Sequence, residues 1–199
     1  MIMKKTIIYL ILLGITIPGM VRAQGSSTSI QYVIGFGAGD LGNYITKTSF
    51  RGAVFNYQKS INENLSAGIE MGWNVFYERM DNDTYTIESV SLSGVQYRYS
   101  NILPMLVTAQ YNLNTENPLK PYVNLGIGTI YNIRTTDMGL WRLEEKAWHF
   151  ALKPEIGFLY ELNPAAALKV SGKYYVGFAA GGLETQSYFA LGAGITFLL

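Results

Sequence analysis

One histidine, His149, and no cysteine bound the chemistry open to this chain. With one imidazole, no thiolate and no close acidic cluster of ligand spacing, no zinc site is expected, and no disulfide can form. As a general base, His149 would need a nucleophile within hydrogen-bond reach. The simpler expectation for it is a rim or interfacial residue at the start of a strand. Asp81-Asn82-Asp83 opens like a calcium loop but lacks the glycine and distal glutamate that complete one, so a polar loop tip is expected. Gly35-Phe36-Gly37-Ala38-Gly39 is a poor nucleotide cradle, because no helix is expected after it to present an N-terminus to phosphate. Four charges fall on the polar parity of the alternating runs: Glu70, Lys153, Glu155 and Lys173. They would serve as a selectivity filter in an open pore or as a salt-bridge network in a filled one, and the filled one is expected. No catalytic residue, metal or cofactor is assigned.

The elements that must position these residues are strands. Hydrophobic residues make up 49% of the 199 positions, with 15 tyrosines and 21 glycines, a composition that favours sheet and tight interior packing. Mean hydropathy is +0.13, high for a soluble protein. Lys4 and Lys5 precede an apolar run from Ile7 to Ile17, and Val21-Arg22-Ala23 follows with small residues where a signal peptidase reads. Residues 1–23 are therefore expected to be a cleaved export signal, since the run is shorter than the roughly 20 residues of a membrane helix. Without Lys4, Lys5 and Arg22, 12 basic residues face 14 acidic ones, a balance that gives no reason to expect nucleic acid.

Residues 24–199 are expected to form one domain. Period-2 alternation recurs from Ile30 to the terminus, most cleanly in Leu65, Ala67, Ile69, Met71, Trp73 and Val75. The last run is Phe189, Leu191, Ala193, Ile195, Phe197 and Leu199, ending on the final residue. About eight such runs alternate with short turns (59–64, 112–120, 161–165) and longer connections (41–47, 78–96, 133–146, 177–186). The fold class expected is all-β, a closed antiparallel up-and-down transmembrane barrel of about eight strands. Pro104 and Pro154 fall inside runs, where a bulge or a strand start is expected.

Alternation alone does not say which face is inside. A soluble lipocalin-like carrier would turn the apolar face inward around a greasy ligand. Against it, the polar parity is rich in glycine (Gly68, Gly72, Gly126, Gly128, Gly157, Gly192, Gly194), as a narrow interior requires. Charges there come in both signs. Tyr57, Trp73, Tyr111, Tyr131, Tyr160 and Phe197 lie near the ends of the apolar runs, as interfacial girdles do. The apolar face is expected to meet outer-membrane lipid, with both termini on the periplasmic side.

The whole chain after residue 23 resembles the bacterial outer-membrane β-barrel family, the porin-family or OmpA/OmpX-type small barrels. Tyr99 to Met105, Lys120 to Gly128, Lys153 to Phe158 and the final strand carry the resemblance. It implies that Phe189, Leu191, Ile195, Phe197 and Leu199 form the signal read by the barrel-insertion machinery, although the family commonly ends on an aromatic and this chain ends on leucine. Lipid-modifying deacylases of similar size place a serine two residues after their histidine, and here that position is Ala151. A non-enzymatic monomer with a side-chain-filled lumen is expected. Its partners would be an extracellular protein or surface ligand meeting the long connections. There Tyr85, Ile87, Tyr97 and Trp141 are the candidate contacts. Tyr85, Ile87, Val90, Leu92, Val95 and Tyr97 suggest strands continuing past the membrane, and Met138, Leu140, Trp141 and Leu143 suggest a segment lying on the lipid surface.

Overall fold

A computed structural model describes residues 25–87, 90–113 and 117–199; the expected export signal, 1–23, lies outside them. Eight strands form a closed antiparallel barrel in sequence order: β1 (Ser26–Ala38), β2 (Ser49–Ser60), β3 (Leu65–Ile87), β4 (Val90–Asn112), β5 (Leu119–Met138), β6 (Trp141–Asn163), β7 (Ala166–Gly177) and β8 (Gln186–Leu198). Closure is by β1 on β8, paired from Ser27↔Leu198 to Ala38↔Ser187. The backbone amides of Ser26 and Leu199 each donate to the other's carbonyl, so the chain end is sealed into the wall. Asparagine side chains set two of the tight turns. Asn62 Oδ1 accepts from the amides of Asn64 and Leu65, and Asn163 Oδ1 accepts from the amide of Ala165.

Parity sorts the side chains as the hydropathy pattern requires. Ile30, Trp73, Val107, Leu125, Ile156 and Phe189 are among the large apolar residues exposed on the outside, and Gln31, Asn56, Glu70, Gln110, Lys153 and Lys173 are buried within. A barrel with a greasy exterior and a polar interior is stable in hydrocarbon, where closure leaves no backbone group unpaired. A lipocalin-like carrier has the reverse arrangement.

The strands are unequal. A tilted span needs about 9–11 residues to cross a bilayer, whereas β3, β4 and β6 have 23 and β5 has 20. β2 leaves β3 at Gly52↔Asn74, and β7 leaves β6 at Ala151↔Gly177. Beyond those points β3 to β6 ladder only with one another, first lining the mouth, where Phe76 and His149 are buried, and then continuing as a four-stranded sheet. The connections expected at 78–96 and 133–146 are thus mostly strand, the second closing on a tight turn at Gly139-Leu140. Its side chains do not form a lipid-lying segment. Met138 is buried on the inner face, and Leu140 is fully exposed at the tip.

Two more expectations need correction. The connection at 41–47 begins with a short helix, α1 (Gly39–Tyr44), whose Leu41, with Ile45 just after it, enters the lumen and is fully buried. A helix therefore does follow the glycine-rich stretch, but its six residues fill the barrel mouth. The prolines produce neither bulge nor strand start. Pro104 pairs with Ile130 in unbroken register, yet the β3–β4 ladder skips from Met71↔Met105 to Asn74↔Ile102. Pro154 likewise pairs with Leu125, and the β6–β7 ladder skips from Leu152↔Val176 to Glu155↔Lys173. Each missing N–H costs pairing on one side only and shifts nothing. Gly72 makes room for this: a Cβ there would lie 2.9 Å from the Pro104 ring.

Candidate functional site

Strand parity brings Glu70 (β3), Lys153 and Glu155 (β6) and Lys173 (β7) to one level inside the barrel, all essentially inaccessible to solvent. Lys153 Nζ donates to Glu70 Oε2 (2.8 Å) and Glu155 Oε2 (2.5 Å), bridging the two carboxylates. Lys173 Nζ donates to Glu70 Oε2 (3.3 Å) and lies 4.0 Å from Glu155 Oε2. Three residues not anticipated as members complete the cluster. Tyr175 and Tyr122 hydroxyls donate to Glu70 Oε1 and Glu155 Oε1, both at 2.7 Å. Lys169 Nζ stands 3.9 Å from Glu155 Oε1 and 5.0 Å from the centre of the Tyr122 ring. Lys169 shares its parity with Lys173, which was readable; its height relative to Glu155 depends on strand stagger, which was not.

Above the charges lies an apolar plug that sequence reasoning missed. Val33, Leu41, Ile45, Val54, Phe76, Ile102, Ile130, Tyr175 and Tyr188 form one buried cluster. Tyr175 stacks on Tyr188 at 4.5 Å, and Phe76 meets Tyr188 edge-on at 5.5 Å. Toward the short turns the lumen is polar, filled by amides such as Gln31, Gln58, Gln110 and Asn124. That half opens into a cup of about 350 Å³ lined by Ser27, Ser66, Gln110, Asn112 and the Lys120–Glu161 ion pair.

His149 is not at the rim. It lies mid-strand in β6, wholly buried, and its Nδ1 donates to the Phe178 carbonyl at 2.8 Å. That bond tethers the β7–β8 connection across the mouth, where Leu183 is also buried. Among the described residues no hydroxyl is bonded to His149 Nε2, so no nucleophile–base pair is formed among them. Among the described residues no group of three or more acidic or histidine ligands could hold a metal ion.

On the projecting sheet, Tyr97 and Trp141 are partly exposed, and the Tyr85 hydroxyl donates to the Asp81 carbonyl; the side chain of Ile87 falls outside the described set. Near the tip, Arg142 donates to both oxygens of Asp137 (2.6 and 2.8 Å), and those hydrogen bonds hold the Asp137 carboxyl below its usual range. Phe189, Leu191, Ile195, Phe197 and Leu199 all project outward along the final strand.

The fold, a closed eight-stranded antiparallel barrel with an apolar exterior, is that of small outer-membrane β-barrels. No family model and no curated protein matches the chain. Solved structures do. Neisserial surface protein A is 15% identical, covering 87% of this chain and 95% of its own, with a TM-score of 0.54. Ail, the attachment invasion locus protein of Yersinia pestis, solved with the heparin analogue sucrose octasulfate, is 15% identical over 88% of this chain and 98% of its own, TM-score 0.55. The outer membrane protease OmpT from Escherichia coli is 7% identical over 92% and 99%, TM-score 0.51. At these identities the likeness is one of fold.

Proposed function

We propose that the chain is an integral outer-membrane protein that displays a binding surface outside the cell and conducts nothing of consequence. The observation that carries this is the sheet formed by β3 to β6 beyond the barrel. Its two edges, β3 past Val75 and β6 before Phe150, have no neighbouring strand among the described residues. Long open edges invite aggregation unless something pairs with them, so an extended segment of another chain is the fitting partner. The short turns and both chain ends would face the periplasm, and the final strand would direct insertion by the barrel-insertion machinery. Outer-membrane lipid would cover the apolar band around a single copy.

A non-enzymatic role suits the same geometry. OmpT shows that barrels can carry catalysis, but here the one histidine is sealed inside and its potential serine partner is Ala151.

Placement is tested by expressing the chain in a Gram-negative host with a protease site after Leu140 or, separately, in the 61–64 turn. Proteinase added to intact cells is expected to cut the first and spare the second. N-terminal sequencing of the membrane fraction should begin at Gln24. A soluble periplasmic product, or cleavage at the 61–64 turn alone, would overturn the reading.

A further inference from the structure

At the mouth beneath the projecting sheet, two guanidiniums share one aromatic ring. Tyr44, the last residue of α1, is fixed by its hydroxyl, 2.6 Å from Thr136 Oγ1 and donating to the Thr135 carbonyl at 3.1 Å. The guanidinium carbon of Arg134 lies 3.6 Å from the ring centre and that of Arg98 lies 5.1 Å from it. Arg98 is also held by its Nη1, which donates to the Tyr44 carbonyl (3.0 Å), and by its Nε, which donates to Gln96 Oε1 (2.6 Å). Arg134 is held by the stack alone. Among the described residues it makes no hydrogen bond and no ion pair, so all five of its N–H donors are uncommitted.

None of the nearby carboxylates forms an ion pair with either arginine among the described residues, although Glu78 faces Arg98 across the β3–β4 ladder. Glu78 spends both oxygens on Thr46, accepting from its amide (2.6 Å) and its hydroxyl (2.7 Å). Asp137 is engaged by Arg142. Glu145 faces Arg134 across the β5–β6 ladder but is not within ion-pair distance. Both arginines are partly exposed, at the end of the lumen opposite the cup.

We propose that Arg98 and Arg134, mounted on Tyr44, form a binding site for an oxyanion group — sulfate, phosphate or carboxylate — carried by a ligand approaching from the sheet side. A guanidinium locked face-on to a ring keeps its donor edge pre-oriented, which suits two-point recognition of a planar or tetrahedral oxyanion. The site goes beyond the placement proposed above and does not need it, because purified protein in detergent suffices to test it; either can fail without the other.

The experiment titrates folded protein with sodium sulfate, phosphate and acetate at constant ionic strength, by calorimetry and by the fluorescence of Trp141 and Trp148. Compact gel mobility of the unheated sample confirms folding for each variant. Saturable binding of at least one of the three anions is expected, and comparison among them tells tetrahedral from carboxylate preference. Arg134→Gln should weaken binding about tenfold or more, and Arg98→Gln about as much. Arg134→Lys keeps the charge but loses the fork, and should still bind several-fold more weakly than the parent. Tyr44→Leu removes the mount with both cations kept and should also weaken binding, while Lys47→Gln, outside the site, should not. Absence of saturable binding, or equal affinity in the parent and Arg134→Gln, overturns the proposal. So does equal affinity in Arg134→Lys, which would reduce the site to bare charge.

Discussion

At Glu70 four of the lumen's polar contacts meet: Lys153, Lys173, Asn56 and Tyr175 all reach it. Its removal leaves two ammonium groups short of a counter-charge in a space closed to bulk water. Breaking one side of a buried pair costs roughly 3–5 kcal/mol, whereas removing both sides costs much less. Glu70→Gln and Lys173→Met are each expected to lower the temperature at which the unheated, compact gel band is lost, and the double variant to fall short of the sum. Among the lysines, Lys169→Met should be mildest, since its nearest carboxylate oxygen is 3.9 Å away. Strict additivity across Glu70 and Lys173 would show that the charges are separately hydrated. The four charges were visible in the sequence because each falls on the polar parity among glycines and small residues. Tyr122 and Tyr175 were not, because a tyrosine on the inner parity looks no different from one packed in a wall. Only the register Tyr122↔Gly157 shows the room made for it, since a Cβ at Gly157 would fall 2.7 Å from the Tyr122 hydroxyl.

At the scale of elements, the barrel and the projecting sheet divide the long strands between two solvents. Lower down, lipid on one face and lumen on the other impose strict alternation, and those stretches were legible residue by residue. Past Asn74 and before Ala151 the outward parity carries charge (Arg79 on β3, Arg142, Glu144 and Lys146 on β6), the hydropathy signal fades, and much of what is strand looked like connection, although the alternation from Tyr85 to Tyr97 was still legible. Helix α1 was hidden for a different reason. One turn is too short to show a helical period, and the burial of Leu41 and Ile45 depends on a cavity made by distant strands. If the division is real, the upper sheet is dispensable for folding. Deleting Asp81–Val95 and bridging Met80 to Gln96 with Asn-Gly keeps their native cross-strand pairing, as a two-residue hairpin allows. The shortened chain is expected to refold into detergent with compact gel mobility and nearly unchanged thermal stability. Failure to refold would make the sheet part of the barrel's own stability, and its long edges would then need no partner to explain them.

Taken as a whole, the lumen has a dry end and a wet end separated by the charge cluster. The dry end is sealed by Phe76, Tyr188, Ile102, Ile130 and the inserted α1, all closely packed. The wet end holds amide atoms without a hydrogen-bond partner among the described residues, including Gln31 Oε1, Gln58 Oε1, Gln110 Oε1 and both polar atoms of Asn124. Buried amides of that kind are ordinarily satisfied by water, and the 350 Å³ cup gives water a way in. A blind cup is not a pore, so planar-bilayer recordings should show no large, steady conductance. The chain has no cysteine, so single substitutions can map where water reaches without interference. Ser27→Cys, in the cup, should react readily with a small water-soluble thiol reagent. Ala151→Cys, wholly buried in the plug, should stay unreacted until the protein is unfolded. Reaction at both positions at similar rates, together with steady conductance, would mean that water runs the length of the barrel. The inserted helix would then be a gate rather than a seal, and the protein would have to be regarded as a channel for small solutes.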